Sequence, residues 1–411
     1  EERVRRIVAA NPWLAGRLVV KDGVTMIAYD AVEGKDAWVD VVGLKVFQTI
    51  EGSACELGLQ TAYFKLPSIL EANTAAVGKG ISIVGKDEPV FRVSVISDVA
   101  GSACEEMDGV KMDGGIKNKK KRFAVVTSMP HCIGDGYTFY SIRNMLSCEE
   151  DIRSLDNSRC PSTDDKIASA VKDAEPLKPV LVNLMFHDLK TALWKANDMS
   201  VLRLDVDDGW IKREKEAYLA ELSSSSSSCS GDGKDRPAFI STNDILARWF
   251  FKFSSPMLGL MAINMRGKVP GVSHNLAGNY AREIPFCRRD YESPALIRKA
   301  VEGLHRAASP PTPIPTIREA FGTGVSLMTN WCAFSKEVKL EGAKIIMHLP
   351  VYDWYRQERL NEVSHIAVVY RPRAGQTSIL LAVPKNELEL YAEAALGLIE
   401  WSCVGSFTNL L

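Results

Sequence analysis

The chain has 411 residues, 46% of them hydrophobic and 25% charged, and its 50 basic and 51 acidic side chains leave a net charge of -1. This is globular composition, which excludes collagen-like, coiled-coil and wholly disordered classes, and the length suits two or three domains of roughly 150 residues. The balanced charge argues against a nucleic-acid partner, because phosphate contacts need a basic excess, and no apolar run reaches the ~18 residues that a membrane span requires.

Taken in chain order, Glu2 to Val8 reads as the end of a helix stopped near Asn11-Pro12. Strand-like segments come next at Gly16–Val20, Val24–Tyr29, Trp38–Val42, Val90–Val99 and Arg122–Ser128. The run Lys117-Asn118-Lys119-Lys120-Lys121-Arg122 reads either as an anion site or as a solvated hairpin loop. Tyr137–Leu146 has helical apolar spacing. Asp151–Pro179 is polar, and Val180–Trp194 has helical character. The six-serine tract Ser223–Ser228 cannot bury apolar area and reads as a flexible linker, so a crossover is expected over 195–236.

The second half restarts at Pro237. Ser241-Thr242-Asn243-Asp244 fits a capping box for a helix over Ile245–Phe253. Strands are expected at Leu258–Met265, Val325–Trp331, Lys344–Leu349, Ile366–Tyr370 and Ser378–Val383, and a helix at Asn386–Leu396. Four prolines in Ser309–Pro315 impose an irregular connection. Both halves mix strands and helices, so the expected architecture is α/β, with one lobe at 1–194 and a second at 237–411.

The nine cysteines are odd in number and hold no C-x-x-C pair, so free thiols in a reducing, cytoplasmic setting are expected. Cysteines and the six histidines are too scattered for a zinc site, so no metal is expected. The chain opens Glu1-Glu2 without Met, which suggests a trimmed N-terminus and the loss of any targeting signal with it.

The stretch with the most chemistry is Ser128-Met129-Pro130-His131-Cys132-Ile133-Gly134-Asp135-Gly136. A histidine at the end of a strand faces a cleft, and imidazole takes up a proton near neutral pH, so His131 is a candidate general base. The plain alternative is a satisfied core histidine beside a surface turn. Asp135 lies across a turn that two glycines permit; it could orient the histidine or pair with a cation.

H-x-x-x-D-G after a β-rich run and before an amphipathic helix resembles the catalytic motif of CoA-dependent acyltransferases, and more widely of the plant and fungal BAHD family. Four further segments are similar to that family's motifs, in its order. They are Pro12 to Leu18, Ser241 to Trp249, Asn264-Met265-Arg266 with Gly278-Asn279-Tyr280, and Met328-Thr329-Asn330-Trp331. Three departures accompany them. The late D-F-G-W-G motif is absent, with Tyr352-Asp353-Trp354-Tyr355 in its place. Residue 130 is Pro, unlike the H-H-x-x-x-D-G of wax-ester synthases and condensation domains. The family's first strand would lie upstream of Glu1.

The resemblance implies two chloramphenicol-acetyltransferase-like lobes, each a mixed sheet with helices, and a channel between them. It implies a monomeric enzyme of secondary metabolism that moves an acyl group from acyl-CoA, a co-substrate and not a resident cofactor, to a small-molecule alcohol or amine. His131 would be the base, with no covalent acyl-enzyme required, so that Cys132 need not act as nucleophile. Asp135 would pair with Arg266 from the second lobe. Trp331 would donate to the oxyanion or serve as plain core, with Thr329 beside it. Ser241 and Thr242, at a helix N-terminus, would meet a CoA phosphate or simply cap the helix. Gly278 and Asn279 would shape a turn at the channel and touch the co-substrate. Alternatives are a long-chain wax-ester or alcohol acyltransferase of the same superfamily and an inactive member acting as a binding protein.

Overall fold

The structure, a computed structural model, describes residues 1–30, 39–52, 55, 57–58, 61–97, 122–159, 161–172, 199–225, 236–315, 324–351, 363–384, 387 and 399–400. Helix α1 (Glu2–Ala10) forms because Val4, Ile7 and Val8, three and four apart, bury one face. Buried Asn11 ends it, donating to the carbonyls of Ile7 and Arg153 and accepting from the Leu155 N–H. Strands β1 (Arg17–Lys21) and β2 (Val24–Ala28) form a hairpin whose two turn residues, Asp22 and Gly23, both have positive φ, as a tight two-residue turn requires.

Next comes a three-stranded sheet, β3 (Phe47–Ile50) parallel to β4 (Arg92–Ser97) and β4 antiparallel to β5 (Phe123–Ser128). Helix α2 (Leu66–Ala72) lies between β3 and β4 in the chain. The strand expected at Trp38–Val42 is not formed over its described residues. There Asp40 accepts from the Gly43 N–H at 2.9 Å and Lys45 takes a φ of 61°, which curls the chain into turns before β3 begins. Helices α3 (Gly136–Asn144) and α4 (Pro161–Ala170) come after β5. The expected helix at Val180–Trp194 and most of the Lys117–Arg122 run fall outside the described residues.

The crossover expected at 195–236 contains regular structure instead: strand β6 (Met199–Val206) and helix α5 (Asp208–Ser225). Its polar composition misleads because Arg203 and Asp205 point to one face and form a largely buried ion pair at 3.0 Å, while Leu202, Leu204 and Val206 alternate into the core. The serine tract begins as the last turn of α5, and residues 226–235 lie outside the described residues.

The second half builds α6 (Thr242–Ser254), β7 (Leu258–Asn264), β8 (Ala281–Phe286), α7 (Pro294–Gly303), β9 (Val325–Asn330), β10 (Val363–Tyr370), β11 (Ser378–Pro384) and β12 (Ile399–Glu400). No strand forms at Lys344–Leu349. Its neighbours pair with the end of α3, where Asn144 and Arg143 donate to the carbonyls of Phe334 and Lys336, and the His348 N–H goes to the Pro372 carbonyl. The helix expected at Asn386–Leu396 lies, apart from Glu387, outside the described residues.

The large sheet has the order β12-β6-β11-β10-β9-β7-β8, and its middle strands β10, β9 and β7 are mutually parallel. Strand β11 is buried along its whole length because both faces are covered. Ile379, Leu381 and Val383 face the core under α5, α6 and α7, while Leu380 and Ala382 pack with Tyr63 and Leu66 from the first half. A separate core joins α1, β1, β4 and α3 and takes in Ala277 and Val338 from the second half. Among the described residues, no helix is long and apolar enough to cross a membrane.

Candidate active site

Strand β5 ends at Ser128, and the chain turns sharply before α3. The Pro130 carbonyl accepts from the Ile133 N–H, placing His131 at an exposed corner. Among the described residues no hydrogen bond engages its imidazole. Its backbone, by contrast, is held: Asn279 Nδ2 donates to the His131 carbonyl at 2.8 Å.

Asp135 is not the histidine's orienting partner. It is the N-cap of α3, with Oδ1 accepting from the Thr138 N–H at 3.0 Å, while Oδ2 accepts from the Tyr280 N–H and from Arg266 Nη1, each at 2.8 Å. Arg266 and Asp135 are both buried. All five guanidinium N–H groups are used: Nε on the Leu276 carbonyl, Nη1 on Asp135 and Asn264, and Nη2 on Thr138 Oγ1 and the Gly278 carbonyl. The rings of Tyr137 and Tyr280 flank it, with centroids 4.6 and 4.8 Å from Cζ. A buried ion pair is tolerable when its remaining donors and acceptors are satisfied in this way.

Beside this bracket lies a cavity of about 350 Å³. One wall is Asp135, Gly136 and Tyr137, the start of α3. The other consists of the carboxyl ends of the three parallel strands and the residues just beyond them: Met261–Asn264 of β7, Thr329–Phe334 at β9, and Arg371 after β10. Asn243, near the start of α6, also lines it. Carboxyl ends of parallel strands are where sheets of this kind present side chains to ligands, because the connecting segments diverge there.

Of the residues read from sequence, Asp135, Thr329 and Trp331 line the cavity and Arg266 lies directly behind it. His131 is on the turn that leads into the wall and is not itself a lining residue. Trp331 presses its indole edge on the first turn of α3: a Cβ at Gly136 would lie 2.8 Å from Nε1. Ser241 and Thr242 are not on the wall. Ser241 Oγ accepts from the Asp244 N–H and donates to Asp244 Oδ2, a complete capping box, and Thr242 Oγ1 accepts from Lys215 Nζ. Gly278 and Asn279 likewise brace the His131 turn from outside the wall. The sequence reading missed Thr138, Tyr280, Asn243 and Arg371. Tyr280 and Asn243 lay within the quoted motifs without being singled out, and Arg371 carried a signal as a cation placed directly after the strand-like run Ile366–Tyr370.

Electrostatics separate the groups further. Cys132 is exposed as a residue, yet its Sγ tucks over Gly80, and burial pushes the thiol above its ordinary value. Burial pushes the Cys332 thiol up to about 11, with Arg371 acting against that shift. His348 is held down at about 3 by burial and then by the Arg143 charge. Its ring Nδ1 bonds to the Arg371 carbonyl at 3.0 Å and its Nε2 to the Tyr140 hydroxyl at 3.3 Å. Neither thiol is poised as a nucleophile. Among the described residues no group of His, Cys, Asp and Glu could hold a metal.

No protein-family model and no curated protein matches the sequence. Solved structures do. F. graminearum TRI101 complexed with coenzyme A and deoxynivalenol is 12% identical, the match covers 98% of this chain and 90% of that one, and the TM-score is 0.53. F. sporotrichioides TRI101 complexed with coenzyme A and T-2 is 11% identical over 98% and 90%, with a TM-score of 0.49. Polyketide synthase associated protein 5 from Mycobacterium tuberculosis is 12% identical over 96% and 88%, with a TM-score of 0.47. The first likeness establishes the fold: the chain has the two-lobed, chloramphenicol-acetyltransferase-like architecture that its motifs implied.

Proposed function

We propose that the protein transfers an acyl group from an acyl-CoA thioester to the hydroxyl or amine of a small molecule, with His131 as general base. The observation that carries this reading is the His131 turn itself. A solvent-accessible imidazole with no partner among the described residues sits on backbone fixed by Asn279 and, four residues on, by the Asp135–Arg266 pair, at the edge of an interlobe cavity. A base needs a free ring nitrogen on a rigid mount, and these contacts among the described residues support that role. The fold shared with a protein crystallised with coenzyme A supports the donor class.

In the reaction, the acceptor O–H or N–H gives its proton to the His131 imidazole as the oxygen or nitrogen attacks the thioester carbonyl carbon. The tetrahedral oxyanion then collapses, the C–S bond breaks, and the imidazolium returns the proton to the leaving CoA sulfur. Thr329 and Trp331, on the cavity wall, are the donors we assign to the oxyanion. Asp135 and Arg266 take no proton; they hold the turn. Burial raises both nearby thiols above their ordinary value, which fits direct transfer without an acyl-enzyme.

The test is incubation with acetyl-CoA and a panel of alcohols and amines, with products read by mass spectrometry. Wild-type protein should form acetylated product. His131→Ala should keep its melting temperature and lose roughly 10²-fold or more of the rate. Near-wild-type turnover by the variant would overturn the general-base assignment, and ligand binding without any turnover by the wild type would favour a binding protein.

A further inference from the structure

Acyl transfer by His131 leaves one feature of the cavity unused. Of the residues that line it, Asp135 and Arg371 are the acid and the cation. Asp135 is neutralised by Arg266 at 2.8 Å. Arg371 has no carboxylate within ion-pair distance among the described residues, in contrast to Arg306, which is paired with Asp290 at 2.7 Å. Among the described residues, the cavity lining therefore carries one positive charge without a carboxylate partner.

We propose that Arg371 is an anion-recognition residue, which docks a carboxylate or phosphate group of a substrate entering the cavity. The proposal rests on the acyltransferase reading for which molecules enter, but anion binding is measurable without turnover. Three features support it besides charge. The first is position: Arg371 comes directly after β10 and stands beside Cys332, just past β9, so it sits at the carboxyl ends of parallel strands. The second is preorganisation. His348 pins the backbone twice, its ring Nδ1 on the Arg371 carbonyl at 3.0 Å and its own N–H on the Pro372 carbonyl at 2.7 Å, so the main chain that carries the guanidinium is already fixed before binding. The third is the neutrality of its surroundings. The Cys332 thiol stays protonated to about 11, so it supplies no counter-anion. His348 stays uncharged down to about 3, so it adds no second cation. The neighbouring lining amides of Asn243 and Asn330 bond to each other at 2.9 Å and carry no charge. A guanidinium presents a planar fork that matches carboxylate or phosphate with two parallel hydrogen bonds.

Two sources of the anion are possible, the CoA donor and the acceptor, and calorimetric titration of the full chain separates them. One arm compares coenzyme A with pantetheine, the other 3-hydroxybenzoate with 3-hydroxybenzyl alcohol. Wild-type protein should bind the anionic member of at least one pair tenfold or more tightly than the neutral member. Arg371→Gln should remove that preference, and Arg371→Lys, which keeps the charge and loses the fork, should weaken it several-fold. Arg373→Gln, at an exposed neighbour that bonds Gln376, should change nothing. The arm that responds names the source. The proposal is overturned if the wild type shows no preference in either pair. It is equally overturned if Arg371→Gln, folded by its melting curve, binds both anionic probes as the wild type does; should that variant not fold, wild-type affinity in Arg371→Lys overturns the recognition by the fork. Anion binding that depends on Arg371 in a protein without transfer activity would instead sink the acyltransferase reading alone.

Discussion

Asp135 satisfies three donors with two oxygens: the first turn of α3, the Tyr280 backbone and Arg266. Its removal strands a fully buried guanidinium, and removal of Arg266 strands the carboxylate; breaking a buried pair costs about 3–5 kcal/mol. Asp135→Ala and Arg266→Ala should each lower the melting temperature and the acyl-transfer rate together, and the double variant should lose less than the sum. Strictly additive losses in a double-mutant cycle would show that the pair is not coupled. His348 gives a prediction with a definite sign. Its value falls from 6.5 to about 3 on folding, so the unfolded chain takes up the proton first as the pH drops. The stabilisation from neutral His348 is complete above about pH 6.5 and is lost progressively toward pH 3. Relative to wild type, His348→Gln should show a shallower decline of melting temperature between pH 7 and pH 4, and parallel curves would exclude the linkage.

At the scale of elements, the starts of α3 and α6 meet the site differently. Gly136 is the first residue of α3, where alanine would ordinarily favour the helix. Here its Cβ would come within 2.8 Å of Trp331 Nε1, so Gly136→Ala should displace the indole and reduce kcat, visible also as a change in Trp fluorescence. Ser241 caps α6 with a complete capping box. Ser241→Ala should cost about 1 kcal/mol of stability and leave KM for acetyl-CoA unchanged. A large rise in KM at constant stability would restore the co-substrate contact that the sequence pattern suggested. Gly278 and Asn279, expected to shape a turn at the channel, tie the second half of the chain to the segment before and at the start of α3: Gly278 exchanges hydrogen bonds with Thr138, and Asn279 donates to the His131 carbonyl.

At the scale of the molecule, the two halves of the chain share cores. Ile167 and Val171 from the first half sit in the core of the large sheet, Ala277 and Val338 from the second sit in the core around α1, and the Tyr63 hydroxyl donates to the Pro350 carbonyl at 2.9 Å. Separately expressed fragments 1–194 and 237–411 would expose these surfaces, and the second would also lack β6, the strand between β12 and β11. The intact chain should therefore unfold in one cooperative calorimetric transition, and neither fragment should show a cooperative transition alone. Two resolved transitions in the intact chain would mean that the lobes are independent.

The sequence by itself determined the local and the chemically marked. The apolar runs at Leu258–Met265, Ile366–Tyr370 and Ser378–Val383 form strands, and Ser241 caps a helix, because such elements arise from periodicity and short-range hydrogen bonds. The resemblance of the H-x-x-x-D-G stretch and of Asn264-Met265-Arg266 to family motifs implied the turn and its brace. Only the tertiary structure decided which side chains share a wall. Asn264, Asn330 and Arg371 are each at the end of a strand, far apart along the chain, and meet because β7, β9 and β10 run parallel. Parallel pairing depends on contacts distant in sequence, and no local pattern encodes it. For the same reason β6 was illegible: its charged residues look like linker until Arg203 and Asp205 find each other, with Ser378 donating to Asp205 from a strand far along the chain.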